Sequence, residues 1–434
     1  MSARGIVIAA AASGSGKTTL TLGLLRALRN RGVRVRAAKV GPDFIDPAFH
    51  AAACGAASVT LDGWAMRDTT LRCELASVAC DAEIVIVEGV MGLFDGARDG
   101  SGSTAQVAQR LGLPVLLVLD VAAQAATAAA VAFGLARYRP EISVAGAILN
   151  RVGSPGHAAM IAPAVEELGI RVLGALPSDA LLSLPSRHLG LVQAREHPAL
   201  EAFIEAAAAA CAARIDLDAL IALAAPIAVE GVTNEAALLP LGKHIAVADD
   251  LAFAFSYPHV LEGWRRQGAQ LSSFSPLADE APAPEADAVY LCGGYPELHA
   301  ARLSAAGNFR RGMLAARARG AAIYGECGGY MVLGDSICDA QGVEHEMLGF
   351  LPLRSSFAAP RMHLGYREVR PLHDAPFARA QTPLRGQEFH FATGREEAGA
   401  EPLFQVLADD GGRTPSGLRR ENVSGSFVHL IDRR

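Results

Sequence analysis

Apolar runs of four to eight residues, rich in Val, Ile and Leu, alternate with helix-length segments through the first half of the chain: Gly5 to Ala10, Val33 to Val40, Glu83 to Val87, Pro114 to Leu119, Val144 to Leu149 and Arg171 to Leu176. Strands that are apolar without alternation have no wet face, so they demand a parallel sheet covered by helices on both sides. A helix is predicted over Lys17 to Arg31, stopped by Gly32, and the alanine-rich stretch Ala122 to Ala136 suits another lying close on the sheet. From Glu196 to Ala225 the sequence turns helical, and it loses its pattern from Pro226 to Gly242. A second alternation follows, with His244 to Ala248, Ala269 to Phe274, Ala288 to Cys292 and Ala321 to Tyr324. From His345 onward the runs are short and β-type. The expected fold class is α/β with two α/β domains: a nucleotide-type parallel sheet over 1–225, a linker over 226–242, and a second domain over 243–434. No internal repeat relates the halves.

Charge narrows the partners. With 39 Lys and Arg against 45 Asp and Glu, the net charge of −6 offers no counterion-driven grip on nucleic acid, so no nucleic-acid partner is expected. The most apolar region, Leu111 to Ala136, is interrupted by Asp120, and no membrane span is expected. Arg4 and the apolar stretch after it imitate a secretory signal but run into a glycine-rich turn carrying Lys17. The seven cysteines, Cys54, Cys73, Cys80, Cys211, Cys292, Cys327 and Cys338, form no C-x-x-C pair, which points to a reducing cytoplasm and away from zinc or disulfide staples.

The first apolar run leads into Ala11-Ala12-Ser13-Gly14-Ser15-Gly16-Lys17-Thr18, the Walker A spacing with Ala11 in place of the first glycine. Small residues let successive N–H groups turn inward around phosphate oxygens, the following helix aims its positive end at them, and Lys17 adds a point charge. Ser13, Gly14, Ser15, Gly16, Lys17, Thr18 and Thr19 are the ATP-binding candidates, with the Thr18 hydroxyl placed for Mg²⁺. Glu88 closes the run Glu83 to Val87 where a Walker B carboxylate stands, as a ligand of Mg²⁺ or of its water. The loop Lys39-Val40-Gly41-Pro42-Asp43-Phe44-Ile45-Asp46-Pro47 brings two more carboxylates to the same end of the sheet. Either Asp43 or Asp46 completes the metal shell, or both shape turns around the prolines.

In the second half, Gly325-Glu326-Cys327-Gly328-Gly329 follows a strand and precedes a helix expected from Tyr330. This is the cysteine analogue of the nucleophile elbow, in which flanking glycines permit a strained turn and the helix end favours thiolate. Upstream, the amides of Gly293 and Gly294 are candidates for an oxyanion hole, while Cys292 reads as packing. A general base is needed, and both His429 and His390, the latter in Gly386-Gln387-Glu388-Phe389-His390, are available.

Taken together these motifs resemble the cobyrinic acid a,c-diamide synthase family, which includes the hydrogenobyrinic acid a,c-diamide synthases. The resemblance covers nearly the whole chain and extends to Lys39 through His50, Val87 through Gly96 and Arg187-His188-Leu189-Gly190-Leu191. It implies a dethiobiotin-synthetase-type ATPase half and a class I glutamine amidotransferase half. It further implies Cys327 as nucleophile and His429 as base. The class I pattern has an acid two residues after that histidine, where this chain has Ile431, so a Cys-His dyad is expected, with Asp432 and Glu326 left as orienting acids to be decided. Glu388 and His390 match a family motif with a structural part.

The implied reaction is amidation of the a and c carboxylates of cobyrinate or hydrogenobyrinate in cobalamin biosynthesis, using ATP, Mg²⁺ and glutamine. A shielded ammonia path between the domains is expected. The small-molecule partners are a corrinoid polycarboxylate, glutamine and ATP; a homo-oligomer is left open. Cobyric acid synthase and nickel-sirohydrochlorin a,c-diamide synthase are near alternatives. A partitioning-type switch ATPase is a distant one, since its signature lysine is replaced by Ala12.

Overall fold

The computed structural model describes residues 3–178, 186–187, 190–228, 236–396, 398–407 and 412–434, without side chains at 186–187 and 190–191. The chain forms two compact units, Met1–Trp64 with Asp68–Asn234, and Ala65–Arg67 with Glu235–Arg434. No helix among the described residues is long and apolar enough to cross a membrane.

The first unit runs β1 (Arg4–Ala10), α1 (Lys17–Asn30), β2 (Val35–Val40), α2 (Asp46–Cys54), β3 (Val59–Leu61), α3 (Asp68–Ala79), β4 (Ile84–Glu88), α4 (Thr104–Leu111), β5 (Val115–Asp120), α5 (Thr127–Arg137), β6 (Val144–Val152), α6 (Pro155–Glu166) and β7 (Arg171–Pro177). Its sheet has the order β3-β2-β4-β1-β5-β6-β7, all parallel, with Ala225–Pro226 antiparallel against β1. The strand centres are almost wholly buried, Ile6, Val7, Ile8, Ile84, Val85, Ile86, Leu116 and Leu117 among them, as two-sided coverage requires. The alternation foresaw six of these strands within a residue or two at their starts; β3, only three residues long, carries too short a run to be seen. Two helices, Leu200–Arg214 and Leu217–Leu223, fill the segment predicted helical. Residues 229–235 of the expected linker, and His188 and Leu189 of the Arg187–Leu191 motif, lie outside the described residues.

The second unit is built on a ten-stranded sheet. Gln270–Phe274, His244–Ala248, Ala288–Leu291, Ala322–Glu326 and Val423–Ser426 run parallel in that order. Arg413–Arg420, Glu401–Leu407, His363–Pro371, Leu384–His390 and Val428–Arg433 continue it antiparallel. Only Phe427 separates Val423–Ser426 from Val428–Arg433, yet one strand sits mid-sheet and the other at the end of the strand order. A smaller four-stranded sheet joins Glu344–Glu346, Ser336–Cys338, Leu353–Ser356 and Thr393–Glu396. A shallow cleft of about 360 Å³ on it, lined by Ser336, Cys338, Arg354 and Arg395 among others, holds none of the candidate residues.

Candidate active sites and family

In the first unit, chemistry gathers at the carboxyl ends of β1, β2 and β4, where the strand order reverses around β1, as in open α/β sheets that bind ligands. The loop between β1 and α1 takes left-handed turns at Gly14 (φ 77°) and Gly16 (φ 90°). A Cβ on Gly16 would stand 2.2 Å from Nδ2 of Asn150, so only glycine lets that amide brace the loop. Asn150 donates to the Ser15 carbonyl at 2.9 Å, and Arg151 donates to the Gly14 carbonyl at 2.7 Å while pairing with Asp120 at 2.5 Å. Neither brace was foreseen, because each stands at the end of a distant strand with no local motif.

Lys17 Nζ donates to the carbonyls of Ala12 (3.0 Å) and Met91 (2.6 Å). Burial and the neighbouring Lys39 lower its pKa, against the pull of Glu88, Asp46 and Asp95. Glu88 is fully buried and is the last residue of β4. Its Oε1 accepts from Thr18 Oγ1 at 2.6 Å and from Lys39 Nζ at 2.9 Å, and its Oε2 lies 2.7 Å from His50 Nε2. Burial works against the Glu88 carboxylate, but Lys39, His50 and Thr18 outweigh it and hold the group well below the usual range. Lys39 is itself held charged: burial opposes it, and Asp46 at 2.5 Å together with Glu88 overcomes burial.

The two aspartates of the loop separate by role. Asp43 Oδ1 accepts from the amides of Ile45 (2.8 Å) and Asp46 (3.0 Å), so it caps the entry to α2. Asp46 points instead at Lys39 and is pushed up to about 7 by burial and by Asp43. His50, one turn on along α2, was part of a recognised motif but was given no role. Thr19 lies on α1 beside Thr18.

A divalent cation fits this donor set. Thr18, Glu88 and Asp46 offer hard hydroxyl and carboxylate oxygens suited to Mg²⁺, and the Lys39 ammonium already occupies a cation's place between two of the carboxylates.

In the second unit the nucleophile elbow is present as a strained turn. Cys327 adopts φ 46° and ψ −104° directly after the strand Ala322–Glu326, and the helix it caps is Gly328–Leu333, starting two residues earlier than expected. Its N–H donates to the Ser426 carbonyl at 2.8 Å, tying the elbow to the strand that precedes the His429 strand. A Cβ on Gly293 would lie 2.3 Å from Cε1 of His429, and one on Gly328 would lie 3.0 Å from the Gly294 nitrogen. Gly293 thus packs on the imidazole, and Gly294 on the first residue of the elbow's helix. His390 is engaged with other partners: its Nε2 is 3.0 Å from Glu388 and its Nδ1 donates to the Ala392 carbonyl at 3.0 Å.

Of the two acids left open, Glu326 is the one facing His429, with Oε2 at 3.7 Å from Nδ1, and it also accepts from Tyr290 Oη and the Leu430 amide. Asp432 accepts from the backbone and guanidinium of Arg67, which groups with this unit. Cys292 is buried and its thiol donates to the Ala248 carbonyl, as a packing residue does.

One expectation is corrected. The helix end was expected to favour thiolate at Cys327, yet the thiol is pushed well up, by burial first and then by the carboxylates of Glu297, Glu326 and Glu388. A six-residue helix carries too little dipole to offset a side chain that is only 3% exposed. The Gly328 amide, which also faces the sulfur, is a donor the sequence reading missed.

Comparison with known proteins follows the same division. Residues 6–192 match the CobQ/CobB/MinD/ParA nucleotide binding domain, and residues 244–434 match the CobB/CobQ-like glutamine amidotransferase domain. These matches define a two-domain, glutamine-hydrolysing ligase whose other half is a nucleotide-binding domain. Over its length the chain is 53% identical to the hydrogenobyrinate a,c-diamide synthase of Brucella anthropi, covering 99% of this chain and 98% of that protein. It is 54% identical to that of Rhizobium meliloti, covering 99% of each, and 52% identical to that of Rhodobacter capsulatus, covering 99% and 98%. The chain belongs to the hydrogenobyrinate a,c-diamide synthase family.

Proposed function

We propose that the protein converts the a and c carboxylates of hydrogenobyrinate to amides, with glutamine as nitrogen donor and ATP as activator. The observation that carries this reading is that both halves of the reaction sit on one chain that matches its relatives end to end.

A carboxylate resists amide formation because its charge repels a nucleophile and oxide leaves poorly. One substrate oxygen therefore attacks the γ-phosphorus of ATP, the bond to ADP breaks, and an acyl phosphate forms. Ammonia then adds to the acyl carbon and phosphate departs. Lys17 leaves its two carbonyl partners for the phosphates, and the amides of Ser13 to Thr19 line the rest of the cradle. Thr18, Glu88 and Asp46 would hold Mg²⁺, which would supply charge neutralisation on the phosphates. Asp43 keeps the turn that presents Asp46.

In the other half, His429 takes the thiol proton as the Cys327 sulfur attacks the glutamine carboxamide carbon. The amides of Gly293, Gly294 and Gly328 receive the developing oxyanion. The proton passes to the leaving nitrogen, ammonia departs, and water cleaves the thioester to glutamate. Because burial keeps the resting thiol protonated, the proton transfer and the attack belong to one event with glutamine in place. The resting enzyme then spends little glutamine or oxidant on a free thiolate.

Reciprocal variants test the division of labour. Cys327→Ser should lose synthesis from glutamine but keep synthesis from concentrated ammonium salt at raised pH, while Lys17→Ala should lose synthesis from both donors and keep glutaminase activity. Mass spectrometry of the corrinoid with hydrogenobyrinate and cobyrinate offered separately reads both donor use and substrate. Equal loss with both donors in Cys327→Ser, or synthesis by Lys17→Ala, defeats the assignment.

A further inference from the structure

Among the described residues, one cluster of metal-ligating side chains has no part in the steps above, although it borders the Cys327 centre. His363 opens the strand His363–Pro371 and pairs directly across from His390 on Leu384–His390, while Glu388 stands two residues before His390 and so on the same face. A ligand atom from each of the three lies within 4.8 Å of the others. Two ligands at i and i+2 on one strand, with a third directly opposite on its neighbour, is a way for a sheet to present three donors to one ion.

The hydrogen bonds sharpen the case. His390 Nδ1 faces the Ala392 carbonyl at 3.0 Å, which can only accept, so Nδ1 carries the proton. That leaves Nε2 facing Glu388 Oε1 at 3.0 Å, a contact that either a proton or a metal ion can bridge. The other carboxylate oxygen, Oε2, is taken by Arg367 through Nε (2.8 Å) and a terminal nitrogen (2.7 Å), which fixes Oε1 in its orientation. Arg367 reaches Glu388 by lying over Gly365, where a Cβ would meet its guanidinium at 2.7 Å. An imidazole anchored by a backbone carbonyl and a carboxylate anchored by a cation are the outer-shell supports that metal ligands ordinarily have.

The geometry points to a binding site for a zinc-class divalent cation formed by His363, Glu388 and His390. Two imidazoles and one carboxylate suit such an ion, with the half-exposed His363 and Glu388 leaving a fourth position for water. The rings of His363 and His390 are stacked at 4.7 Å and 7°, whereas ligand atoms around a tetrahedral ion stand about 3.4 Å apart at zinc–nitrogen lengths of about 2.1 Å. Closure therefore falls to a tilt of His363, since His390 is held between it and Phe427, stacked at 4.0 Å. The ion would clamp together two strands, one of which carries Phe389, whose carbonyl lies 4.0 Å from Cys327 Sγ, and Gln387, which pairs with His429. The site is a strut for the glutaminase centre rather than a part of its chemistry.

The test uses the untagged full-length chain carrying Cys327→Ser, so that the catalytic thiol does not compete for metal. After chelation and dialysis against Zn²⁺, metal analysis should find one ion per chain, Co²⁺ should give a ligand-field spectrum of a nitrogen-oxygen site, and Zn²⁺ should raise Tm. His363→Ala and Glu388→Gln should each weaken Zn²⁺ binding by at least about tenfold and abolish the Tm rise, with far-UV circular dichroism unchanged. The proposal is overturned if the parent chain takes up no Zn²⁺ at micromolar concentration, which leaves a proton as the only bridge between His390 and Glu388. It is equally overturned if both variants bind Zn²⁺ as the parent does.

Discussion

The two candidate centres solve opposite electrostatic problems. Around the phosphate loop, ionisable groups are buried together: Glu88, Lys39 and Asp46 are each less than a tenth exposed, and Lys39 is tied to both carboxyl groups within hydrogen-bonding distance. Around Cys327 the Gly328 amide faces the sulfur, Gly293 packs against the His429 ring, and burial disfavours the thiolate. On the proposed reading the first centre meets a polyanion, so its buried charges are in place beforehand and Lys17 has only to leave its carbonyl partners for the phosphates. The second must form an anion only in passing, so it offers dipoles aimed at where that charge will appear. The contrast predicts that charge changes hurt the first centre most and volume changes the second.

The largest expected effect comes from Glu88→Gln. Removing one member of a buried ion pair leaves Lys39 with Asp46 alone, and such losses cost about 3–5 kcal/mol of stability. Thermal unfolding should show it, and ATP-dependent turnover should fall with partial rescue by excess Mg²⁺ while glutamine hydrolysis persists. A stable Glu88→Gln chain with full turnover would break the picture of a pre-charged centre.

Next comes Gly293→Ala, which adds no charge. Its methyl would meet the His429 ring at 2.3 Å and push the imidazole aside, so glutaminase kcat should drop by about 10²–10⁴, the scale of losing a positioned general base. Ammonia-dependent synthesis should survive. Full glutaminase activity would mean that the backbone loop does not govern the imidazole.

The smallest effect is a rate. With the thiol pushed up by burial, alkylation of Cys327 by iodoacetamide in the absence of glutamine should be slow at neutral pH and still climbing above pH 9, because the thiolate fraction rises until pH passes the raised pKa. Mass-spectrometric labelling across pH reads it directly, with Cys80, the exposed cysteine, as internal comparison. A plateau below pH 8 would place the thiol with the pre-charged class after all.

What could be read in advance follows the locality of the signal. The loop from Ala11 to Thr18 and the elbow at Gly325 to Gly329 are contiguous, so residue type and spacing carry them. Asn150 reaches back to Ser15 from the end of β6, and His50 meets Glu88 from a helix; each is a single residue whose meaning exists only once strands are aligned. The same limit applies to the thiol, where a helix end is visible in sequence but the surrounding burial is not. It also applies to Asp43 and Asp46, alike in composition and separated only by which amides and which ammonium the fold brings to them.

The position of Val423–Ser426 bears on how the second unit is assembled. Ile323 pairs with Val423 and Glu326 with Ser426, so the interior of the sheet stays open until a segment a hundred residues further along the chain has been recruited. Such non-local closure is slow, because loop entropy is lost before the contact repays it. Until then Ala322–Glu326 is an unguarded apolar edge, able to pair with the wrong partner. The strand that leads into the His429 strand thus also decides how long the nascent unit remains prone to aggregation, and weakening it would first be noticed as poor yield of soluble protein.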